Sequence, residues 1–310
     1  MRRIQYYQYG GPETMKLEDV TPEKPGKGEV AVKVTFAAIN PIDWKVRNGY
    51  LKMVTGKVFP RAMGSDFSGI VVAVGPGVTR FKTGDAVFGL ARIKESGALG
   101  EAVITNEGFL AKKPDTVSFN DAACLGTPAV TAWNGLVDKA GLKRGQSVFI
   151  NGCAGAVGEA AVQIARMLGA TVSGSCSAEA MPRVRDLGVQ KVFDYRKTDL
   201  SALRDRFDVV YDTAAAMPTA VGLHLAGSRG VFLDIDPTPM KFLRSLFNRR
   251  LKPIVCTPRA EILDAIADAA GQGKLRLPIA ETVPLGGAIT LITALEKGRK
   301  IGGKALVAVG

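Results

Sequence analysis

A chain of 310 residues with 46% hydrophobic and 23% charged content is long enough for two globular domains, and that composition excludes a disordered protein. It holds no run of about 18 apolar residues, and MRRIQYYQYGGPE lacks the apolar core of a signal peptide, so a soluble intracellular protein is expected. The formal charge of +12 raises nucleic acid as a partner, but lysines and arginines are scattered among acids through most of the chain, which argues against one.

Residues 1 to about 120 read as mostly β. GEVAVKVTFAAIN alternates, GIVVAVG and AVFGL are short strands, and Gly10-Gly11, Pro25-Gly26, Gly75-Pro76-Gly77 and Thr83-Gly84-Asp85 mark turns between them. A small barrel or sandwich fits this spacing. DTVSFNDAAC then starts a helix, with Ser118 or Asn120 as its cap. From there to about 265, strands alternate with helices: SVFIN, a helix over 157–168, ATVSGSC, a helix from about 178 to 187, KVFDY, FDVVYDTA, a helix over 217–226, and GVFLDI. Such alternation predicts a doubly wound parallel sheet. RAEILDAIADAAGQGKL is apolar at Ile262, Leu263, Ile266 and Ala270 and ends at Gly271 and Gly273, as a helix with a stop does. The last stretch reads as strand, helix and strand. KALVAV needs a sheet to join, so the tail is expected to return to the N-terminal domain.

The stretch that organises the chain is VFINGCAGAVGEAAVQIARMLGA at 148–170, a short apolar strand, a glycine turn and an amphipathic helix stopped by Gly169. Gly152, Gly155 and Gly158 let backbone approach a pyrophosphate without a Cβ in the way, and the helix start at Ala156 and Val157 offers free N–H groups and a partial positive charge. The usual GxGxxG pattern is broken, because Cys153 holds the place of its first glycine.

Four cysteines, Cys124, Cys153, Cys176 and Cys256, form no CxxC pair, so neither a disulfide framework nor a zinc cluster is suggested, and reduced thiols in the cytoplasm fit. The single histidine, His224, lies in an apolar helical stretch and reads as packed or capping. One basic cluster, Lys241, Arg244, Arg249, Arg250 and Lys252, is interleaved with Phe242, Leu243, Leu246 and Phe247 and leaves open a weak peripheral membrane contact.

Six blocks in order carry a family resemblance: AAINPIDWKVRNGY at 37–50, GSDFSGIVVAVGPGVTRFKTGDAVFG at 64–89, LGTPAVTAW at 125–133, INGCAGAVGEAAVQIARMLGA at 150–170, LGVQKVFDYR at 187–196 and GRKIGGKALV at 298–307. Together they resemble the medium-chain dehydrogenase/reductases, in the zinc-independent quinone oxidoreductase branch. The resemblance implies an α/β protein with two parts. A GroES-like β-rich substrate domain spans 1–123 and 267–310, and a Rossmann doubly wound parallel-sheet domain spans 124–266. Zinc-bearing members use a cysteine and a later histidine, whereas this chain has Asn40 to Asp43 and Gly64-Ser65-Asp66 there, and it lacks the four-cysteine lobe. No metal is therefore expected.

NAD sites place an acid about 20 residues after the glycines, and ATVSGSCS ends without one. Ser175 and Ser177 are candidate donors to a 2′-phosphate, Arg183 a candidate cation, and Tyr195 matches a position near the adenosine phosphate in relatives. NADP is expected over NAD, although Glu179 stands where close relatives have a base. Thr131 in PAVTAW, Asp234 and Ile235 in DIDPTP, and Lys304 in GRKIGGKALV complete the cofactor-binding candidates that the resemblance supplies. Without metal, hydride delivery suits an acceptor that spreads charge itself, a quinone or an α,β-unsaturated carbonyl. Asn40, Lys45 and Tyr50 are the catalytic candidates, from a block that faces the nicotinamide in relatives. Asn40 is also a good turn former, Asp43 a loop brace and Trp44 a packing residue. Two other readings stay open, a non-catalytic NADPH-binding protein or sensor and an enoyl-thioester reductase, as does a homodimer.

Overall fold

The computed structural model describes residues 1–310, which divide into two compact units, 1–127 with 258–310 and 128–257. The first unit opens with β1 (Arg2–Tyr6), β2 (Lys16–Asp19) and β3 (Glu29–Ile39), followed by α1 (Pro41–Arg47), α2 (Lys52–Thr55), β4 (Arg61–Ala62) and β5 (Asp66–Val74). It continues through β6 (Ala86–Leu90), β7 (Ala102–Asn106), β8 (Leu110–Lys112) and α3 (Phe119–Ala123), where Ser118 rather than Asn120 caps the helix by accepting from the Asp121 N–H.

The second unit follows as α4 (Gly126–Trp133), β9 (Ser147–Asn151), α5 (Ala156–Met167), β10 (Thr171–Cys176), α6 (Met181–Asp186), β11 (Lys191–Asp194), β12 (Val209–Asp212), α7 (Thr219–Leu225), β13 (Val231–Asp234), α8 (Pro239–Phe247) and β14 (Leu251–Pro253). The expected helix over 178–187 begins as a tighter turn at Ala178–Ala180, and α7 is shorter than the expected 217–226. The chain returns through α9 (Ala260–Gly271), β15 (Ile279–Pro284), α10 (Ala288–Glu296) and β16 (Lys304–Ala308).

In the first unit the main sheet runs β15-β16-β3-β5-β6-β8, with β7 also on β3, and a small sheet runs β2-β1-β4. Val30, Val32 and Val34 of β3 alternate inward and meet Phe67, Val71, Val87 and Leu110 in one core. The tail joins this sheet: β16 pairs antiparallel with β3, Leu306 opposite Ala38, because its buried Ala305, Leu306 and Val307 complete the core of a strand already half covered. Arg47 of α1 is fully buried and pairs with Glu296 at the end of α10 at 2.6 Å. Helix α9 packs on β8, with Arg80 on Asp264 at 2.7 Å and Thr116 on the Gly271 carbonyl at 3.1 Å. Residues 258–266, assigned from sequence to the dinucleotide domain, thus belong to the first unit. The apolar face of Ile262, Leu263 and Ile266 needs a wall along its whole length, so the helix cannot be split at its middle.

The second unit is a parallel six-stranded sheet in the order β11-β10-β9-β12-β13-β14, the doubly wound pattern in which the first strand sits mid-sheet. The strand order reverses at β9, whose C-terminal end carries the glycine turn. Phe149, Val210 and Phe232 from three neighbouring strands pack together beneath it. Helix α8 and edge strand β14 are additional to the elements expected from sequence, and α8 buries none of its residues.

Candidate cofactor site and buried polar cluster

In the second unit, Gly152 turns the chain at φ +80 after β9, and Gly155 is the N-cap of α5 with no side chain capping the helix. The first-turn amides of Ala156, Val157 and Gly158 are therefore left to a ligand. Gly158 is required by packing: a Cβ there would lie 2.1 Å from the Gly152 carbonyl oxygen. Cys153 does not obstruct this cradle. Its side chain is buried away from the turn, with Sγ 3.3 Å from the Ser175 carbonyl, and the small residue that makes room for it is Gly174 of β10, where a Cβ would meet Cys153 Sγ at 3.0 Å. The missing glycine of the usual pattern is thus replaced by one on the neighbouring strand.

Ser175, a candidate phosphate donor, is engaged within the second unit. Its hydroxyl is fully buried and donates to Asn151 Oδ1 at 2.6 Å, and Asn151 Nδ2 in turn donates to Asp212 Oδ1 at 2.8 Å. With its hydroxyl buried and spent on Asn151, Ser175 serves the interior of the sheet. Asp212 also accepts the N–H groups of Ala216 and Met217, which fixes the turn after β12. Asp234, at the same level on the next strand, is fully buried and pairs with Lys241 at 2.8 Å, while the Ile235 N–H donates to the Asp212 carbonyl. Thr131 of α4 is buried, and its carbonyl accepts from Tyr211 Oη at 2.8 Å.

Ser177 and Tyr195 follow the adjacent ends of β10 and β11, where Cys176 and Asp194 are paired. Arg183 spans from α6 to the glycine turn, 3.1 Å from the Ala154 carbonyl and 2.8 Å from Glu159. Burial pushes the Glu159 carboxyl up to about 7 against the pull of Arg183. Arg196, which no motif in the sequence marks as a site residue, lies over the Tyr195 ring at 5.4 Å and pairs with Glu179 at 3.0 Å. The Ser177 hydroxyl, the backbone N–H of Glu179 itself and the Arg196 guanidinium hold Glu179 down to about 2. The residues here fit a dinucleotide: a cradle that a Cβ would fill, an uncapped helix start, and cations beside the second strand, which ends without an acid.

Lys304 belongs to the first unit. Its Nζ donates to Asn40 Oδ1 at 2.5 Å and to the Ile39 carbonyl at 3.0 Å. The Asn40 amide nitrogen donates to Asp66 Oδ2 at 2.9 Å and to the Ala38 carbonyl at 3.3 Å. Asp43 accepts from the Asn40 backbone N–H and the Ser65 hydroxyl, each at 2.8 Å, and Asp66 accepts from both the N–H and the hydroxyl of Thr127. Burial pushes Asp43 up to about 7 and also raises Asp66, the latter opposed by Lys304. Both amide protons of Asn40 are used, so it has none to give a substrate oxygen. Lys45 and Tyr50 are not gathered to this cluster: Lys45 is exposed on α1, and Tyr50 is 76% exposed on the turn beyond it. Trp44 packs on the core, as a packing residue should. His224 is exposed at the end of α7, against Arg206 at 3.0 Å. No three His, Cys, Asp or Glu side chains come together to hold a metal ion.

Residues 26–115 match the alcohol dehydrogenase GroES-like domain, and 187–307 match the zinc-binding dehydrogenase domain. The chain is 30% identical over 301 residues to the chloroplast envelope quinone oxidoreductase homolog of Arabidopsis thaliana, covering 92% of each. It is 36% identical over 252 residues to the NADPH-dependent alkenal/one oxidoreductase, chloroplastic, of the same plant, across 78% of this chain and 64% of that one. Among solved structures, the quinone oxidoreductase from Coxiella burnetii superposes with a TM-score of 0.90 at 29% identity, covering 100% of this chain and 99% of that one.

Proposed function

The chain belongs to the medium-chain dehydrogenase/reductase family, in its quinone oxidoreductase branch, and from that premise we propose that it is an NADPH-dependent, metal-free reductase of quinones or α,β-unsaturated carbonyls. The observation that carries this reading is the uncapped, glycine-lined start of α5 beside a second strand that ends in Cys176 and Ser177, with no acid to repel a 2′-phosphate. A bound nicotinamide would supply the hydride. The amides of Ala156, Val157 and Gly158 would hold the pyrophosphate, and Arg183, already on the Ala154 carbonyl, adds charge beside them. Ser177, Tyr195 and Arg196 would receive the adenosine phosphate. Glu179 competes with it for Arg196, and this sets the limit on NADP preference.

Metal-free chemistry is supported by the donor set. Where zinc members have cysteine and histidine, this chain has Asn40 and Ser65 tied to Asp66, Asp43 and the buried ammonium of Lys304, which disfavours a second cation. An acceptor reduced without a Lewis acid must spread its own negative charge, as quinones and enones do. Asn40 acts by holding Lys304 and the start of α1. Lys45 and Tyr50, both exposed, are proposed to carry a proton toward the enolate or quinolate oxygen. Four cysteines outside any disulfide fit a reducing compartment, the cytoplasm in this reading, although two relatives above are named for the chloroplast.

One observation favours a non-catalytic NADPH-binding role instead: the Asn40 amide, the buried catalytic candidate, spends both protons on the Ala38 carbonyl and Asp66 and has none for an acceptor oxygen. Two measurements separate the readings. The reductase consumes NADPH with a panel of quinones and alkenals and prefers it to NADH in kcat/KM. A binder shifts NADPH fluorescence and oxidises none of it.

A further inference from the structure

Helix α8 is amphipathic in the wrong sense for a helix of a folded unit. At about 100° per residue, Phe242, Leu246, Leu243, Phe247 and Met240 fall on one arc of about 160°. That arc points outward, with Leu246 76% and Phe247 87% exposed. The inward side is polar: Lys241 is tied to Asp234 at 2.8 Å and Asp236 at 3.1 Å, and the half-buried Ser245 hydroxyl donates to the Phe242 carbonyl. Thr238 caps the helix start, and the Lys241 ion pairs turn its polar side toward the unit.

The charge around the arc has one sign. From Pro237 to Ala260 there is no Asp or Glu. Two of the cations are consumed inside the unit: Lys241 by its carboxylates and Arg250 by the carbonyls of Leu223, Gly227 and Gly230. Arg244, which borders the apolar arc, and Arg249 just beyond the helix are exposed and make no ion pair.

We propose that α8 docks the protein onto an anionic lipid bilayer, with Phe242, Leu243, Leu246 and Phe247 entering the acyl boundary and Arg244 and Arg249 on the headgroups. Apolar side chains backed by unpaired cations match a surface that offers both hydrocarbon and negative charge. A second copy fits less well, because a two-fold contact would set unpaired arginines near their own kind with no acid in the segment to meet them. This inference goes beyond the reductase reading and does not rest on it.

The test is flotation of the full chain with vesicles of phosphatidylcholine alone or mixed with phosphatidylglycerol, at low and high salt. Binding to the mixed vesicles only, lost at high salt, is expected. Leu246→Glu with Phe247→Glu should abolish it. Arg244→Gln and Arg249→Gln should each weaken it about fivefold, the equivalent of about 1 kcal/mol. Unchanged melting temperatures in these exposed-site variants show that the fold is kept. No binding to anionic vesicles, or binding that survives the variants, overturns the proposal. So does a dimer in light scattering that Leu246→Glu with Phe247→Glu splits.

Discussion

At Asn40 the orientation of the amide is decided by its neighbours: Lys304 demands an acceptor on one side and Asp66 a donor on the other. Beside it, the Asp43 carboxyl has a folded pKa raised to about 7 by burial, above its value in an unfolded chain. The folded state therefore holds this proton more tightly, and stability falls as pH rises from about 4 through 7. The loss is at most about 4 kcal/mol at roughly 1.4 kcal/mol per unit. Urea midpoints measured across that range should decline in the wild type and decline less in Asp43→Asn. An unchanged slope would show that Asp43 ionises freely. At the other site, Glu179 stays ionised above pH of about 2 and occupies Arg196. Glu179→Gln should tighten NADPH binding several-fold and leave NADH unaltered. Arg196→Ala should weaken NADPH by about tenfold, as loss of a charged hydrogen bond does. Fluorescence titration with both nucleotides reads this directly, and equal losses for the two would remove Arg196 from the phosphate site.

The glycine turn and α5 act as one element, since the turn can pass under the helix only while position 158 has no side chain. Gly158→Ala puts a Cβ 2.1 Å from the Gly152 oxygen and must push the helix off the turn. A cost of about 2 kcal/mol or more in unfolding free energy is expected, with loss of NADPH binding at temperatures where the variant is still folded. Gly155→Ala is the contrasting case, because its Cβ meets the Gly152 oxygen at 3.4 Å, an ordinary contact, and its φ is negative. That variant should melt near the wild type. If both behave alike, the turn is softer than its packing implies. The spacing of the three glycines is visible in sequence, whereas the pairing of Cys153 with Gly174 is not, because it joins positions on two different strands.

At the scale of the whole chain, the first unit is closed by its last residues. Arg47 and Glu296 are separated by 249 positions and meet at 2.6 Å, with the guanidinium fully buried. Glu296→Ala leaves that charge without its carboxylate and should cost about 3–5 kcal/mol. Calorimetry should show the loss, and Arg47→Met paired with Glu296→Leu should recover much of it, since the desolvation cost disappears with the charges. Recovery failing entirely would mean that Arg47 matters through its bonds to the Gly10 carbonyl and Asn48 instead.

Local pattern was enough for the parallel sheet, the glycine cradle and the returning tail, because each follows from periodicity or from a backbone need of a few adjacent residues. KALVAV had to find a sheet, and β3 offered its open side. The roles of particular polar groups were decided only by the tertiary structure. Ser175 turned inward to Asn151, Lys304 bonded Asn40 within the first unit, and Lys241 and Arg250 were drawn out of the basic cluster. A buried polar atom takes whichever partner the fold brings within about 3 Å, and that partner can lie anywhere in the chain. Helix α8 shows the same limit from the other side: sequence interleaves its apolar residues with basic ones, and only the fold shows which of them face out.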